Sequence, residues 1–298
     1  MAFARGSVVI GFTGRVSSPD ADELDADEVA AVFGRAAATY DTVIPFFTSF
    51  GARLVEAAAL EPGERVLDAG CGRGATLLPA SVAVGSTGRV VGIDLAEEMI
   101  AIVGADLEAA GVVNATVRVG DAQALDMDES SFDVVVSQMV LHLLPDPPAA
   151  AAEIHRVLVP GGRCVASVPS DSPGWEFITD VFRKYFPRAV APMAVPFRED
   201  FDLRATLVDA GFEVASDEQV ELDFHFPDEQ HWWDWGWGNG IRALYEVLPP
   251  DALESLKQDA FAELAARRTP AGIPLVQRVR VVVGTKPGGR LTTTGADR

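Results

Sequence analysis

The stretch VLDAGCGRGA, residues 66–75, places three glycines, an acid and one of only two cysteines directly after an apolar run. The turn EPGE at 61–64 launches RVLDAG, a β-branched and apolar segment of strand length. Working outward, strand and helix alternate, with strands expected near 65–68, 89–94, 115–119, 132–137 and 162–168 and helical stretches between them. Short helical crossovers demand parallel strands, and burial on both faces explains why FDVVVSQ and RVVGID are nearly continuous apolar runs. The alternation predicts an α/β fold with a doubly wound sheet, and it sets the glycine-rich turn at the carboxyl edge, where such sheets bind ligands.

Gly70, Gly72 and Gly74 let the backbone approach a ligand without a Cβ in the way, and the helix that follows presents free N–H groups. Asp94 ends the second strand, where its carboxylate can accept from both hydroxyls of a ribose. GDAQAL at 120–125 follows the third strand, so Asp121 can accept from an exocyclic amine and the Ala122 N–H can donate to a ring nitrogen, as adenine requires. Asp68 ahead of the glycines would repel a pyrophosphate, which disfavours a nicotinamide dinucleotide and an oxidoreductase. An acid in the first loop, at the ribose and at the base suits a cationic adenosine compound, S-adenosyl-L-methionine. Asp68 and Asp94 each also have a local use, as the cap of a turn and of a helix.

VLDAGCGRG, VVGIDLAEEMI, VGDAQAL, FDVVVSQMVLHLLPD and VLVPGGRCVASV resemble, in order, the motifs of the UbiE-like branch of class I S-adenosylmethionine-dependent methyltransferases, over residues 33–170. The resemblance implies a Rossmann-like seven-stranded, mostly parallel sheet with helices on both faces. It implies that Gly70, Cys71 and Gly72 line the methionine portion of the cofactor, with Asp68 beneath holding the loop or the ammonium. Asp94 would take the ribose, Leu95 and Met99 would flank the adenine, and Asp121 and Ala122 would read its edge. Ser137 and Gln138 would face the methionine end, and Tyr40 matches a tyrosine that closes over the cofactor in similar enzymes. Cys71 is assigned no chemistry, since no base or metal partner lies near it in sequence.

Composition narrows the partners. The chain has 298 residues, 48% hydrophobic, and a formal charge of −20 from 24 basic and 44 acidic residues, which disfavours nucleic acid and anionic membrane surfaces. No stretch reaches the apolar length of a membrane span, no export signal is seen, and Cys71 and Cys164 suggest neither a disulfide framework nor a metal site, so a reducing cytoplasmic setting is expected. Residues 1–27 read as an acidic flexible extension, 28–62 as helices covering the cofactor site, 63–287 as the methyltransferase domain, and 288–298 as a disordered tail. PGG at 160–162 reads as a plain turn into the fifth strand.

Beyond residue 170 the motifs fade. A sixth strand is expected at 212–224 and a last one at 277–287, with insertions after strands five and six, near 170–200 and 225–270, building a cap. Four of the five tryptophans fall within 232–237. Trp175, His231, Trp232 and Trp235 are the expected substrate-pocket residues, and the tryptophans serve equally as anchors of a cap helix or of an interface in a homodimer. His142, just after the fourth strand, is the best-placed group for a general base, should the nucleophile need to lose a proton. The expected reaction moves a methyl group to an O, N or C atom of a hydrophobic small molecule, in natural-product biosynthesis. Quinone C-methylation and a cofactor-binding protein that acts as a cyclase are the alternatives.

Overall fold

The computed structural model describes residues 26–186 and 201–288. Residues 1–25, 187–200 and 289–298, on which the expected extension, part of the first insertion and the tail fall, lie outside the described residues. Seven strands, β1 (Arg65–Ala69), β2 (Arg89–Asp94), β3 (Ala115–Val119), β4 (Phe132–Gln138), β5 (Leu158–Pro169), β6 (Glu213–Phe226) and β7 (Ile273–Thr285), form one sheet. Their order is β3-β2-β1-β4-β5-β7-β6. Neighbours among β1–β5 are parallel, and β7 runs antiparallel to both β5 and β6. The chain reverses at β1, because β2 and β3 extend the sheet one way and β4 and β5 the other; the crevice this leaves at the strand ends is where the glycine loop sits.

The run of apolar residues along β1 is explained by its two coverings. Val66 joins a core with Phe50 and Leu54 of α2 (Phe46–Ala58), Leu77 and Val84 of α3 (Leu77–Val84), and Val103 of α4 (Glu97–Ala109). Its neighbour Leu67 points the other way, into a core with Ile154 of α5 (Pro147–Val157) and Leu207 of α7 (Leu203–Asp209). Local chemistry marks the helix starts. Asp146 accepts from the Ala149 N–H at 3.0 Å ahead of Pro147, and Asp202 accepts from Ala205.

One expectation is corrected in β5. Residues 159–162, including PGG, are carried within the strand as an irregularity, since Phe132 pairs with Leu158 and the next pair is Val134 with Arg163. The Gly161 N–H, in a left-handed conformation with φ 82°, donates to Lys286 O at 2.9 Å, so this turn also meets the end of β7.

The cap is helical. It comprises α6 (Glu176–Tyr185), α8 (Glu229–Trp237), α9 (Arg242–Glu246) and α10 (Pro250–Ala265), which follow β5 and β6 as expected. It is fused to the face of the sheet covered by α2, because Phe226, Trp232, Tyr245 and Leu256 belong to the same continuous core as Phe50 and Val66. The N-terminal helix α1 (Ala26–Ala36) bridges the cap and the sheet. Arg35 grips Glu246 through both guanidinium arms, and Arg242 donates to the same carboxylate and to Arg35 O at 2.9 Å.

Helix α2 approaches the glycine loop closely. A Cβ on Gly51 would lie 2.3 Å from Ala75 O and 2.9 Å from Gln138 Oε1. Gly51→Ala therefore gains roughly 1 kcal/mol of helix propensity but forces backbone apart, at about 1–3 kcal/mol. The net expectation is a loss of stability in urea unfolding; equal or greater stability would show that α2 can move without cost.

Candidate active site

The loop after β1 is shaped by its glycines. Gly70 takes φ 82°, and a Cβ there would lie 2.3 Å from Val140. Gly72 takes φ 49° and faces open space, with nothing within 4 Å of where its Cβ would be. The Gly70 and Cys71 N–H groups both donate to Ile93 O, at 2.9 and 2.8 Å, folding the loop over the end of β2.

Asp94 closes this arrangement. Its Oδ2 accepts from the Gly72 N–H and its Oδ1 from the Ala96 N–H, each at 2.9 Å. Desolvation raises its pKa, and those backbone N–H groups offset part of the rise. Asp68 lies one layer deeper, 1% exposed. Its oxygens lack a well-formed hydrogen bond, and burial followed by repulsion from Asp94 pushes its pKa up to about 8, with the Leu77 N–H a partial offset. In the absence of a cation the carboxyl is thus largely protonated at neutral pH.

Gly72 and Asp94 open on a cavity of about 1240 Å³, the open solvent at its mouth included. Leu95, Met99, Gly120 and Ala122 form one end of its wall. Tyr40, stacked on Phe47 at 4.3 Å, and Phe33 of α1 cover it. The other end is formed by Phe46, Leu143, Pro145, Pro169, Trp235 and Ile241. One space therefore runs from the strand edge into the cap. Met139, with φ 55° although not a glycine, turns the chain after β4 so that Val140 and His142 reach this wall.

Residues 67–166 match the methyltransferase domain family. Nocamycin O-methyltransferase of Saccharothrix syringae is 33% identical over 276 residues, covering 87% of this chain and 99% of that protein. The chain belongs to the class I S-adenosylmethionine-dependent methyltransferases. Aklanonic acid methyltransferase DauC of Streptomyces sp. (strain C5) is 38% identical over 165 residues, 55% of this chain and 75% of that one. The crystal structure of YcgJ from Bacillus subtilis shares the fold, with a TM-score of 0.55 at 20% identity over 80% of this chain and 98% of that one. So does the [4+2]-cyclase SpnF, with a TM-score of 0.53 at 20% identity over 81% of each chain.

The residues of this methyltransferase fit its cofactor on two observations: Gly72 leaves room for a ligand against the backbone, and Asp68 is a buried acid short of hydrogen-bond donors. Of the residues singled out in the sequence, Tyr40, Gly70, Gly72, Asp94, Leu95, Met99, Ala122, Gln138, His142 and Trp235 share the cavity wall. The others lie elsewhere. Asp68 and Cys71 are buried beneath the loop, and burial pushes the Cys71 thiol well above its usual range, in keeping with the absence of an assigned role. The Asp121 carboxylate turns to the Gln123 backbone and side-chain N–H groups at 2.8 and 3.1 Å, so an exocyclic amine would have to compete with its own neighbour. The Ser137 hydroxyl, fully buried, donates to Ala69 O at 2.9 Å and joins β4 to β1 below the site.

Three pocket expectations are corrected. Trp175 donates to Pro274 O at 2.9 Å and packs on Phe226 and Trp232 in the core, away from the cavity wall. Trp232, 1% exposed, is an anchor of the same aromatic core. His231 is exposed at the start of α8, with its ring 2.7 Å from Asp228. His142 does reach the wall, where burial lowers its pKa to about 3. Sequence reading missed Phe33, Phe46, Asn239 and Gln277 as wall residues. Helical runs ahead of the domain, within the helices expected to cover the site, contained Phe33 and Phe46; Asn239 and Gln277 carry no local signal.

Asp94→Ala removes the acceptor of two backbone bonds that shape the loop, and if Asp94 also takes the ribose it is expected to weaken S-adenosylhomocysteine binding by about 1–3 kcal/mol in calorimetry; unchanged affinity in the folded variant would reduce Asp94 to a local cap. Asp68 has a folded pKa above its unfolded one. Its contribution to the stability of the ligand-free protein is thus complete in acid and lost as pH rises through about 8. Thermal melts across that range should show the decline, and Asp68→Asn should flatten it; an identical profile in the variant would mean that Asp68 does not titrate there.

Proposed function

We propose that this methyltransferase transfers the methyl group of S-adenosyl-L-methionine to an oxygen of a hydrophobic small molecule in natural-product biosynthesis. The observation that carries the reading is the single cavity joining the glycine loop and Asp94 to an apolar wall in the cap. Nocamycin O-methyltransferase, similar along nearly its whole length, supports transfer to oxygen, and it and the aklanonic acid methyltransferase support a natural-product acceptor.

When bound, the donor supplies a methyl group on a positively charged sulfur. The chain's own residues would hold it by position. Gly70 and Gly72 would border the methionine portion, Asp94 would accept from the ribose hydroxyls, Leu95 and Met99 would flank the adenine, and Ala122 would meet its edge. Tyr40 and Phe33 would close over the site and exclude water, and Gln138 would keep the floor rigid, since its amide bonds both Thr76 Oγ1 and Phe47 O at 2.8 Å. Methyl transfer is an in-line displacement, so alignment and desolvation are the main contributions asked of this wall. No helix among the described residues is long and apolar enough to cross a membrane, and a cytoplasmic setting is part of this reading.

The cyclase reading keeps one point in its favour, the shared fold with SpnF. Incubation with trideuteromethyl-labelled S-adenosyl-L-methionine and a panel of hydrophobic small-molecule acceptors separates the two by mass spectrometry. Labelled O-methyl products with S-adenosylhomocysteine are expected. Cyclised, unlabelled products with the donor left intact would overturn the assignment.

A further inference from the structure

The segment from Arg35 to Tyr40 runs between the two ends of the cavity and is tied to both. At the cap, Glu246 accepts from Arg35 Nε at 3.0 Å and from Arg242 Nε at 2.6 Å, and Arg242 in turn donates to Arg35 O. The Gly238 backbone abuts the same segment, since a Cβ there would lie 2.6 Å from Thr39 O. At the glycine loop, Arg73 donates to Ala37 O at 2.7 Å. Past Tyr40, Asp41 accepts from the Phe47 and Thr48 N–H groups, each at 2.8 Å, which fixes the segment to the start of α2. Tyr40 is thus carried on a short length of chain held by the cap, the loop and α2, and it shares the cavity wall with Gly72 and Asp94. Arg35, Gly238 and Glu246 are not among the described wall residues, although Asn239, Gly240 and Ile241, next to Gly238, are. Arg35 and Glu246 are partly exposed, so their pairing adds little to overall stability, but a two-armed grip joined by a second arginine restricts direction.

We propose that Glu246 is a positioning residue for the methyl donor: by clasping Arg35 and Arg242 it holds Tyr40 over the donor end of the cavity, so that a residue of the cap sets how long the donor stays bound. The proposal rests on the donor site read above and adds to it a dependence on residues that do not border it. Loosening the clasp frees the segment to swing away from the cavity, which speeds departure of the ligand and leaves its entry unhindered.

Release of tritiated S-adenosylhomocysteine, chased with excess unlabelled compound, is timed in the wild-type chain and in Glu246→Gln, Arg35→Gln and Gly238→Ala. Each variant should release it about tenfold faster, equivalent to about 1.4 kcal/mol, a size that two partly exposed ion pairs together supply, while the association rate does not fall. The double variant Arg35→Gln with Glu246→Gln should be little faster than either single one, because both break the same contact. Asp180→Asn, which removes an acid of equal charge from its pair with Arg183 on α6, should release at the wild-type rate. A wild-type release rate in Glu246→Gln or Arg35→Gln, additive effects in the double variant, or equal acceleration by Asp180→Asn would each overturn the proposal. Gly238→Ala crowds Thr39 with every charge intact, so it decides the matter in the same way should the charge variants fail to fold. Failure of the wild-type chain to bind S-adenosylhomocysteine would instead defeat the donor site on which the proposal stands.

Discussion

The hydrogen bonds from the Gly72 and Ala96 N–H groups to the two oxygens of Asp94 are the constraint on which the site depends. They join three pieces of chain: the loop after β1, the end of β2 and the start of α4. Each piece needs the others. The loop can lie over β2 only because Gly70 accommodates Val140, and Asp94 tolerates its desolvation only because backbone donors meet it. Arg73 extends the tie outward, donating to Ala37 O at 2.7 Å and to Asp106 at 3.0 Å, so that the segment after α1 is pinned to the same loop. The donor end is therefore preorganised by main-chain geometry, with few charged side chains in it.

The acceptor end is built on the opposite logic. Its shape comes from aromatic packing: Phe46 lies against Phe224 and Trp235, Phe226 against Trp235, and Trp233 stacks on Tyr245 at 4.3 Å. Such contacts are weakly directional individually and stiff collectively, which suits a wall that must define a shape without offering charge. Helix α1 is held across this wall by the Arg35, Glu246 and Arg242 cluster, whose members are partly exposed and so contribute orientation more than net stability.

Much of this was legible in the sequence, for reasons that can be named. Strands buried on both faces leave continuous apolar runs, so β1, β2 and β4 stand out. A glycine demanded by backbone geometry cannot be replaced without strain, so the loop keeps its signature. The tryptophans were harder. All of Trp232, Trp233 and Trp235 are buried, yet only Trp235 borders the cavity, because burial of a helix face does not reveal whether it meets a core or a void. Asp121 and Ser137 show the same limit on a smaller scale: their positions lie at the correct strand ends, while their side chains are engaged by Gln123 and Ala69.

Residue order alone determined the α/β alternation, the placing of a binding loop at the first strand end, and the acid that meets it at the second, since each follows from local periodicity and local backbone chemistry. The tertiary structure decided which residues line the cavity. Tyr40, Phe46, His142, Trp235 and Gln277 share one cavity although far apart in the chain, and no local pattern encodes that meeting. It decided too that His142 is buried, which lowers its pKa, because the basicity of an imidazole depends on the surroundings that packing builds around it.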